Sequence, residues 1–307
     1  MSIFNKKKYI AAISGGPDSM ALLHMYRRHI KAVCTVKYNK RPDCQHDVDI
    51  VENFCKKHKI KFELLNVTEE MYENVDNNNF EAKARVIRYN FFLEICAKYN
   101  AKELLVAHHL DDFMETAYAQ KKKGSLALFY GIQERSEYKG ITVYRPLINM
   151  YRKATLQRYC DDYNLEYAID STNNSDLYER NRIRKIIQLW DREKIHDFLK
   201  EIDSYNKNNR KIYKQKQETF KMWEVSEFEV KLFKTFDSRM QYYLIYDWLM
   251  QNSLYRPTHN KIHGIIEFIL GMNGKVFRLT DNLGLLKKNG HLVLEENNKE
   301  NTHGSLQ

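Results

Sequence analysis

Apolar residues cluster in short runs at Tyr9–Ile13, Ile30–Tyr38, Lys61–Leu65 and Glu103–Ala107, and recur every three or four positions across Met20–Arg28, Asp47–His58 and Phe80–Tyr99. The runs predict buried strands and the longer period predicts amphipathic helices. Their alternation is the βαβ rhythm of an α/β fold with a parallel sheet. A short strand at Ile141–Tyr144 and a helix near Lys153–Tyr163 extend the same unit. After Trp190 the pattern becomes a long, charged, helix-prone stretch through Trp223. Helices at Ser238–Met250 and His259–Leu270 follow, then short strands at Lys275–Thr280, Leu283–Lys288 and His291–Glu295, joined by Asp281-Asn282 and Asn289-Gly290 turns. This predicts a small α+β module, with a boundary near Tyr205 dividing residues 1–205 from residues 206–307. The polar tail Asn297–Gln307 is expected to be disordered.

In an open parallel sheet, ligands bind beyond the carboxyl ends of the strands, where Ser14–Ser19 and Ala107–Asp112 both fall. The first stretch, Ser14-Gly15-Gly16-Pro17-Asp18-Ser19, has the makings of a phosphate cradle. Two glycines let backbone N–H groups approach an anion, and the next helix presents the positive end of its dipole. Ser14 and Ser19 add hydroxyls, and Pro17 suits the first helical position. A carboxylate beside phosphates is repulsive unless a cation stands between them, so Asp18 points to Mg²⁺. No Gly-Lys-Ser/Thr closes the loop, which excludes the Walker pattern.

The second stretch, His108-His109-Leu110-Asp111-Asp112-Phe113-Met114-Glu115-Thr116, follows a buried-looking strand. A helix beginning near Asp111 would put His108, Asp111 or Asp112, and Glu115 on one face. Such carboxylates can bind Mg²⁺, hold a substrate ammonium or complement the helix dipole.

Composition narrows the partners. Lys+Arg 50 against Asp+Glu 40 gives a formal charge of +10 and a pI near 9.1, which favours a polyanion such as RNA. Candidate RNA or anion contacts are Lys83, Arg85 and Arg88, the block Arg180, Arg182 and Arg184, and Lys207, Arg210 and Lys211, with solvated charged faces as the plainer account of each. Tyr89, Phe91 and Phe92 fit the core better than base stacking. The five cysteines are odd in number, dispersed and never in a Cys-x-x-Cys pair, which argues for reduced thiols in a cytoplasmic protein and against an iron–sulfur or zinc site. No apolar run approaches the ~20 residues of a membrane span, and no signal peptide is expected.

These motifs resemble those of the tRNA(Ile)-lysidine synthetase family. Its members carry SGGxDS, a segment like Glu81–Tyr89, a HHxDDxxET motif like His108–Thr116, a stretch like Tyr144-Arg145-Pro146-Leu147, and one like Asp170-Ser171-Thr172-Asn173 leading to Arg180–Arg184. The resemblance covers about Ile10 to Arg184 and reaches Lys275–Leu294. It implies a PP-loop ATP pyrophosphatase fold, of the adenine nucleotide alpha hydrolase-like kind, with a small C-terminal domain that binds tRNA. It further implies ATP and Mg²⁺ as substrate and cofactor, and partners in L-lysine and the isoleucine tRNA with a CAU anticodon. A homodimer is one option.

The implied site residues are Ser14, Gly15, Gly16, Pro17, Asp18 and Ser19 for ATP, with Asp18 on the metal. Asp18, His108, Asp111, Asp112 and Glu115 are implied for catalysis, His108 as a proton acceptor. The chain departs from the family at Val36-Lys37-Tyr38-Asn39, and at its length the further C-terminal domain of longer members is not expected. A rival within the superfamily is a tRNA thiolase or an amide-forming ligase. A rival outside it is a non-catalytic RNA-binding module, which should have lost acidic or glycine positions from the motifs.

Overall fold

The computed structural model describes residues 8–39, 44–75, 80–124, 126–168, 179–252, 254, 257–271, 276–280 and 282–296. The Asp170–Asn173 stretch, Lys275, Asp281, the tail after residue 296 and the Arg180 side chain lie outside this set. The chain forms two compact units: Met1–Met71 with Ile87–Arg210, and Tyr72–Val86 with Lys211–Gln307. The division at Arg210–Lys211 falls inside one continuous helix, so no change of composition or loop marks it.

The first unit is built on a sheet of β1 (Tyr9–Ala12), β2 (Ile30–Lys37), β3 (Lys61–Asn66), β4 (Glu103–Val106), β5 (Arg135–Tyr138) and β6 (Ile141–Tyr144), in the order β3-β2-β1-β4-β6-β5. All neighbours pair in parallel except β5, an edge strand antiparallel to β6 that hydrophobic patterning does not reveal. Its Arg-Ser-Glu-Tyr sequence is polar, as suits an edge.

Side-chain alternation along the strands sorts the core into two layers. Ala11, Val33 and Leu105 face one side, where α1 (Pro17–Tyr26), α2 (Cys44–His58) and α6 (Lys153–Asp162) contribute Leu22, Leu23, Val51, Leu156 and Cys160. Ile10, Ala32, Cys34, Leu104 and Val143 face the other, against Tyr89, Phe91, Phe92 and Ile95 of α4 (Phe80–Lys98). Those three aromatic rings are therefore core, as expected. Each fully buried Leu or Ile contributes roughly 1.5–3 kcal/mol, so this double layer fixes where the strand ends point. A short helix, α3 (Glu69–Glu73), precedes α4. A third cluster joins α5 (Leu110–Lys122), α7 (Glu179–Gln188) and the start of α8 (Arg192–Val225) through Met114, Ala117, Ile183, Ile187, Phe198 and Ile202.

The second unit buries Phe220 and Trp223 of α8 with Phe233 of α9 (Val230–Phe233), Leu244 and Trp248 of α10 (Ser238–Gln251), and Ile262, Ile265 and Ile269 of α11 (His259–Leu270). Asp237 and Thr258 cap α10 and α11, each accepting a backbone N–H two to three residues into its helix. An antiparallel sheet of β7 (Val276–Arg278), β8 (Leu283–Lys288) and β9 (His291–Glu296) completes it. Asn289 and Gly290 both have positive φ, 52° and 85°, the requirement of a tight hairpin turn between β8 and β9.

Trp223 anchors this second core: it is fully buried, its ring lies 5.0 Å from that of Phe233, and its indole N–H donates to the Glu229 carbonyl at 3.1 Å. Trp223→Ala is expected to cost about 3–5 kcal/mol, read as a lower midpoint in urea unfolding followed by tryptophan fluorescence.

Candidate active site

The chain leaves β1 and turns sharply at Gly15, whose φ of +89° suits glycine and whose added Cβ would lie 2.8 Å from the Asp47 carbonyl oxygen. Gly16 caps α1 with φ −71°, and Pro17 occupies the first helical position, as expected. The loop is braced internally: the Ser19 hydroxyl donates to the Gly16 carbonyl at 2.9 Å and accepts from the Ser14 N–H and hydroxyl at 3.2 and 3.3 Å. The Ala168 N–H donates to the Gly15 carbonyl at 2.9 Å. Ser19 is thus a strut of the cradle, while Ser14 is exposed. The first-turn N–H groups of Asp18 and Ser19 have no carbonyl one helical turn back and are oriented for an anion.

Because β1 and β4 are parallel neighbours, with Ala12 opposite Val106, the loop after β4 emerges beside the cradle. Here the structure corrects the expected face. The helix begins at Leu110, its N-cap is His109, and His108 precedes it. His109, 5 % exposed, takes the position given to His108: its Nε2 lies 3.5 Å from both Asp18 Oδ2 and Asp112 Oδ2, and its Nδ1 lies 3.6 Å from Asp111 Oδ2. Burial disfavours the charged ring, but Asp18, Asp112 and Asp111 together outweigh it and raise the His109 pKa above its ordinary value.

The remaining acids divide by partner. Asp111 accepts from Arg152 Nε at 2.6 Å and from the Lys153 N–H at 2.8 Å, which ties α5 to the N-terminus of α6. Asp112 accepts the His109 N–H at 3.0 Å, a reach back from the third helical residue to the cap. Glu115, 3 % exposed, accepts a fork from Arg184, with Nε at 2.8 Å and Nη2 at 3.3 Å. Arg184 loses by burial but gains more from Glu115, Asp112 and Asp18, which raise its pKa. Asp18 Oδ1 is buried without a hydrogen-bond partner.

Among the described residues no three His, Cys, Asp or Glu side chains form a ready metal site. The one orphaned Asp18 oxygen still suits Mg²⁺, which takes one or two carboxylates and completes its shell with phosphate oxygens and water.

Of the basic candidates, Arg184 joins the site and Arg182 is exposed on the same helix. Lys83 donates to the Tyr72 carbonyl at 2.6 Å, and Arg88 hydrogen-bonds the Tyr38 hydroxyl beyond the end of β2. Arg85 is half-buried on the same helix. Lys207, Arg210 and Lys211 are exposed on α8, Lys207 pairing with Asp203 at 2.6 Å. Patterning missed His109, Arg152 and Arg145; the cap position directly before Leu110 was the available signal for the first.

A glycine-turned phosphate loop at the end of β1, beside an acidic helix start at the end of β4, defines a PP-loop nucleotide-binding protein. The PP-loop domain family matches residues 1–189. Three curated tRNA(Ile)-lysidine synthases align over nearly the whole chain: from Ureaplasma parvum (43 % identical, 94 % of this chain and 87 % of that one), Malacoplasma penetrans (36 %, 94 % and 98 %) and Mycoplasma pneumoniae (35 %, 94 % and 98 %). The chain belongs to the tRNA(Ile)-lysidine synthase family. The same fold occurs in a solved U34-tRNA thiolase, NcsA, from Methanococcus maripaludis, with a TM-score of 0.54 at 16 % identity over 68 % of this chain and 74 % of that one.

The two loop glycines have separable requirements. Gly15→Ala meets both the positive φ and the Asp47 backbone and is expected to cost about 1–3 kcal/mol. An added Cβ at Gly16 comes no closer than 3.9 Å, to Ser14 Oγ. Gly16→Ala should therefore hold its unfolding midpoint while weakening ATP binding, measured by thermal unfolding and nucleotide titration of each variant.

Proposed function

We propose that the chain ligates free L-lysine to C2 of the wobble cytidine of the CAU-anticodon isoleucine tRNA at the expense of ATP. The carrying observation is the 3.5 Å approach of His109 to Asp18, which joins the phosphate loop and the acidic helix start in one site. The cytidine O2 attacks the α-phosphorus of ATP and pyrophosphate leaves. The neutral ε-amine of lysine then attacks C2, AMP departs, and the amine gives up a proton.

The Gly15–Ser19 backbone would hold the phosphates in line, which is most of what phosphoryl transfer asks of a protein. Asp18 Oδ1 would hold Mg²⁺, which when bound neutralises charge developing on the phosphates. Asp112 and Glu115 supply the negative field that attracts lysine's ammonium end, and Arg184, oriented by Glu115, matches a carboxylate. Lys207, Arg210 and Lys211 on the exposed side of α8 suit the phosphates of tRNA. Among the described residues no helix is long and apolar enough to cross a membrane, and we infer a cytoplasmic enzyme that acts on tRNA.

The reading is tested by incubating the protein with labelled lysine, ATP, Mg²⁺ and unmodified isoleucine tRNA. Label should enter the tRNA, with AMP and pyrophosphate released; no incorporation and no tRNA-dependent AMP would refute it. Asp18→Ala should abolish pyrophosphate release while retaining the wild-type circular dichroism spectrum. Lys211→Ala should instead weaken tRNA binding and lower the slope of log affinity against log salt by about one, as read by filter binding at several salt concentrations.

A further inference from the structure

The two adjacent histidines of the second motif meet different partners, and that of the less conspicuous one is not suggested by patterning. β4 and β6 are parallel neighbours with Leu105 opposite Tyr144, so the chain just past each strand emerges at the same edge. There Arg145, 7 % exposed, donates from Nε to His108 Nδ1 at 3.1 Å. Its guanidinium is held from behind: Nη1 donates to the Gln133 carbonyl at 2.9 Å and to Ser136 Oγ at 3.0 Å, and its backbone N–H donates to the Glu134 carbonyl at 2.8 Å.

Arginine has donors only and keeps its charge at any accessible pH. The ring atom facing it must therefore offer a lone pair. We propose that Arg145 is a positioning residue that fixes His108 as the neutral tautomer with its proton on Nε2, so that His108 serves the reaction as a hydrogen-bond donor and not as a proton acceptor.

A second proton could enter only at Nδ1, where it would displace the arginine contact and set two cations side by side. His109 faces Asp18, Asp111 and Asp112 instead, so acid–base capacity gathers on that side of the motif. A neutral imidazole N–H is suited to a site where oxygen gains negative charge as bonds to phosphorus or carbon rearrange. The donor role rests on the lysidine-forming reading above; the tautomer itself does not.

The test is two-bond ¹H–¹⁵N spectroscopy of the full chain labelled at histidine, at pH 7 and without nucleotide, with His108 assigned by the signal lost in His108→Gln. The expected pattern is an unprotonated Nδ1 and a protonated Nε2. Arg145→Met should turn this into a mixture of tautomers, and Arg145→Lys should restore much of the Nε2–H form. In AMP release, Arg145→Met should lower kcat about 10- to 100-fold with the KM for ATP within about twofold. His108→Gln, which keeps an N–H donor, should retain at least about tenfold more activity than His108→Ala.

A wild-type His108 that is charged or carries its proton on Nδ1 would overturn the proposal, even if Arg145→Met does not fold. Equal losses in His108→Gln and His108→Ala would overturn the donor role. Failure to incorporate lysine alongside the expected spectrum would count against the lysidine reading and leave the Arg145–His108 assignment standing.

Discussion

The site depends on a problem of charge. Asp18, Asp111, Asp112 and Glu115 converge on one strand edge, mostly out of water, where like charges repel and burial penalises each of them. The chain meets this with a separate partner for nearly every acid. Arg152 and an α6 backbone N–H take Asp111, Arg184 takes Glu115, and His109 stands among Asp18, Asp111 and Asp112. The exception is the Asp18 oxygen that lies buried without a partner, on the acid that belongs to the phosphate loop itself. An uncompensated oxygen there is costly for the free protein, and it is the atom that the proposed Mg²⁺ would neutralise.

The same pairings hold the scaffold in place. Asp111 fastens the start of α6, and α6 packs on α1, with the Cys160 thiol donating to the Pro17 carbonyl at 3.3 Å. The Leu110 N–H donates to the Tyr151 carbonyl at 2.9 Å just before α6. The phosphate loop is thereby tied, through α6, to the helix that carries the acids, so that the two halves of the site are held in mutual register. Parallel pairing of β1 with β4 and of β4 with β6 brings three loops to one edge, and each contributes: Asp18 from the first, His108 to Asp112 from the second, Arg145 from the third.

How much of this the chain discloses depends on the range of the interaction. Local signals were strong: the runs that became β1 to β4, the Gly-Gly-Pro turn, the Asn289-Gly290 hairpin and the long α8 all follow from neighbours in sequence. β5 escaped because an edge strand needs no apolar face, while the boundary expected near Tyr205 and the division at Arg210–Lys211 both fall within the unbroken α8. Within the site, SGGxDS and the acidic cluster were legible as chemistry. Which histidine faces the acids was not, because it turns on one residue of helix start: with Leu110 as the first helical residue, His109 becomes the cap and His108 meets Arg145 just past β6. The partners Arg145, Arg152 and Arg184 lie 37, 41 and 69 residues from the groups they hold, and no local pattern encodes such pairs.

The fold shared with a tRNA thiolase makes the side chains around the loop decisive. Transfer of sulfur asks for accessible thiolates, whereas transfer of an amine asks for carboxylates that recognise ammonium and for a place to leave a proton. In this chain Cys44, at the start of α2, is half-buried, whereas Cys34, Cys55, Cys96 and Cys160 are buried, and burial pushes the thiols of Cys96 and Cys160 up to about 11 and that of Cys55 to about 12. A thiol so placed is a poor nucleophile at neutral pH. Cys160, whose thiol contacts the loop, is further discouraged by the charge of Asp18 and donates its proton to the Pro17 carbonyl. The acids beside the same loop are the opposite case, set close together and balanced by His109, Arg152 and Arg184, as the proposed recognition of an ammonium group requires.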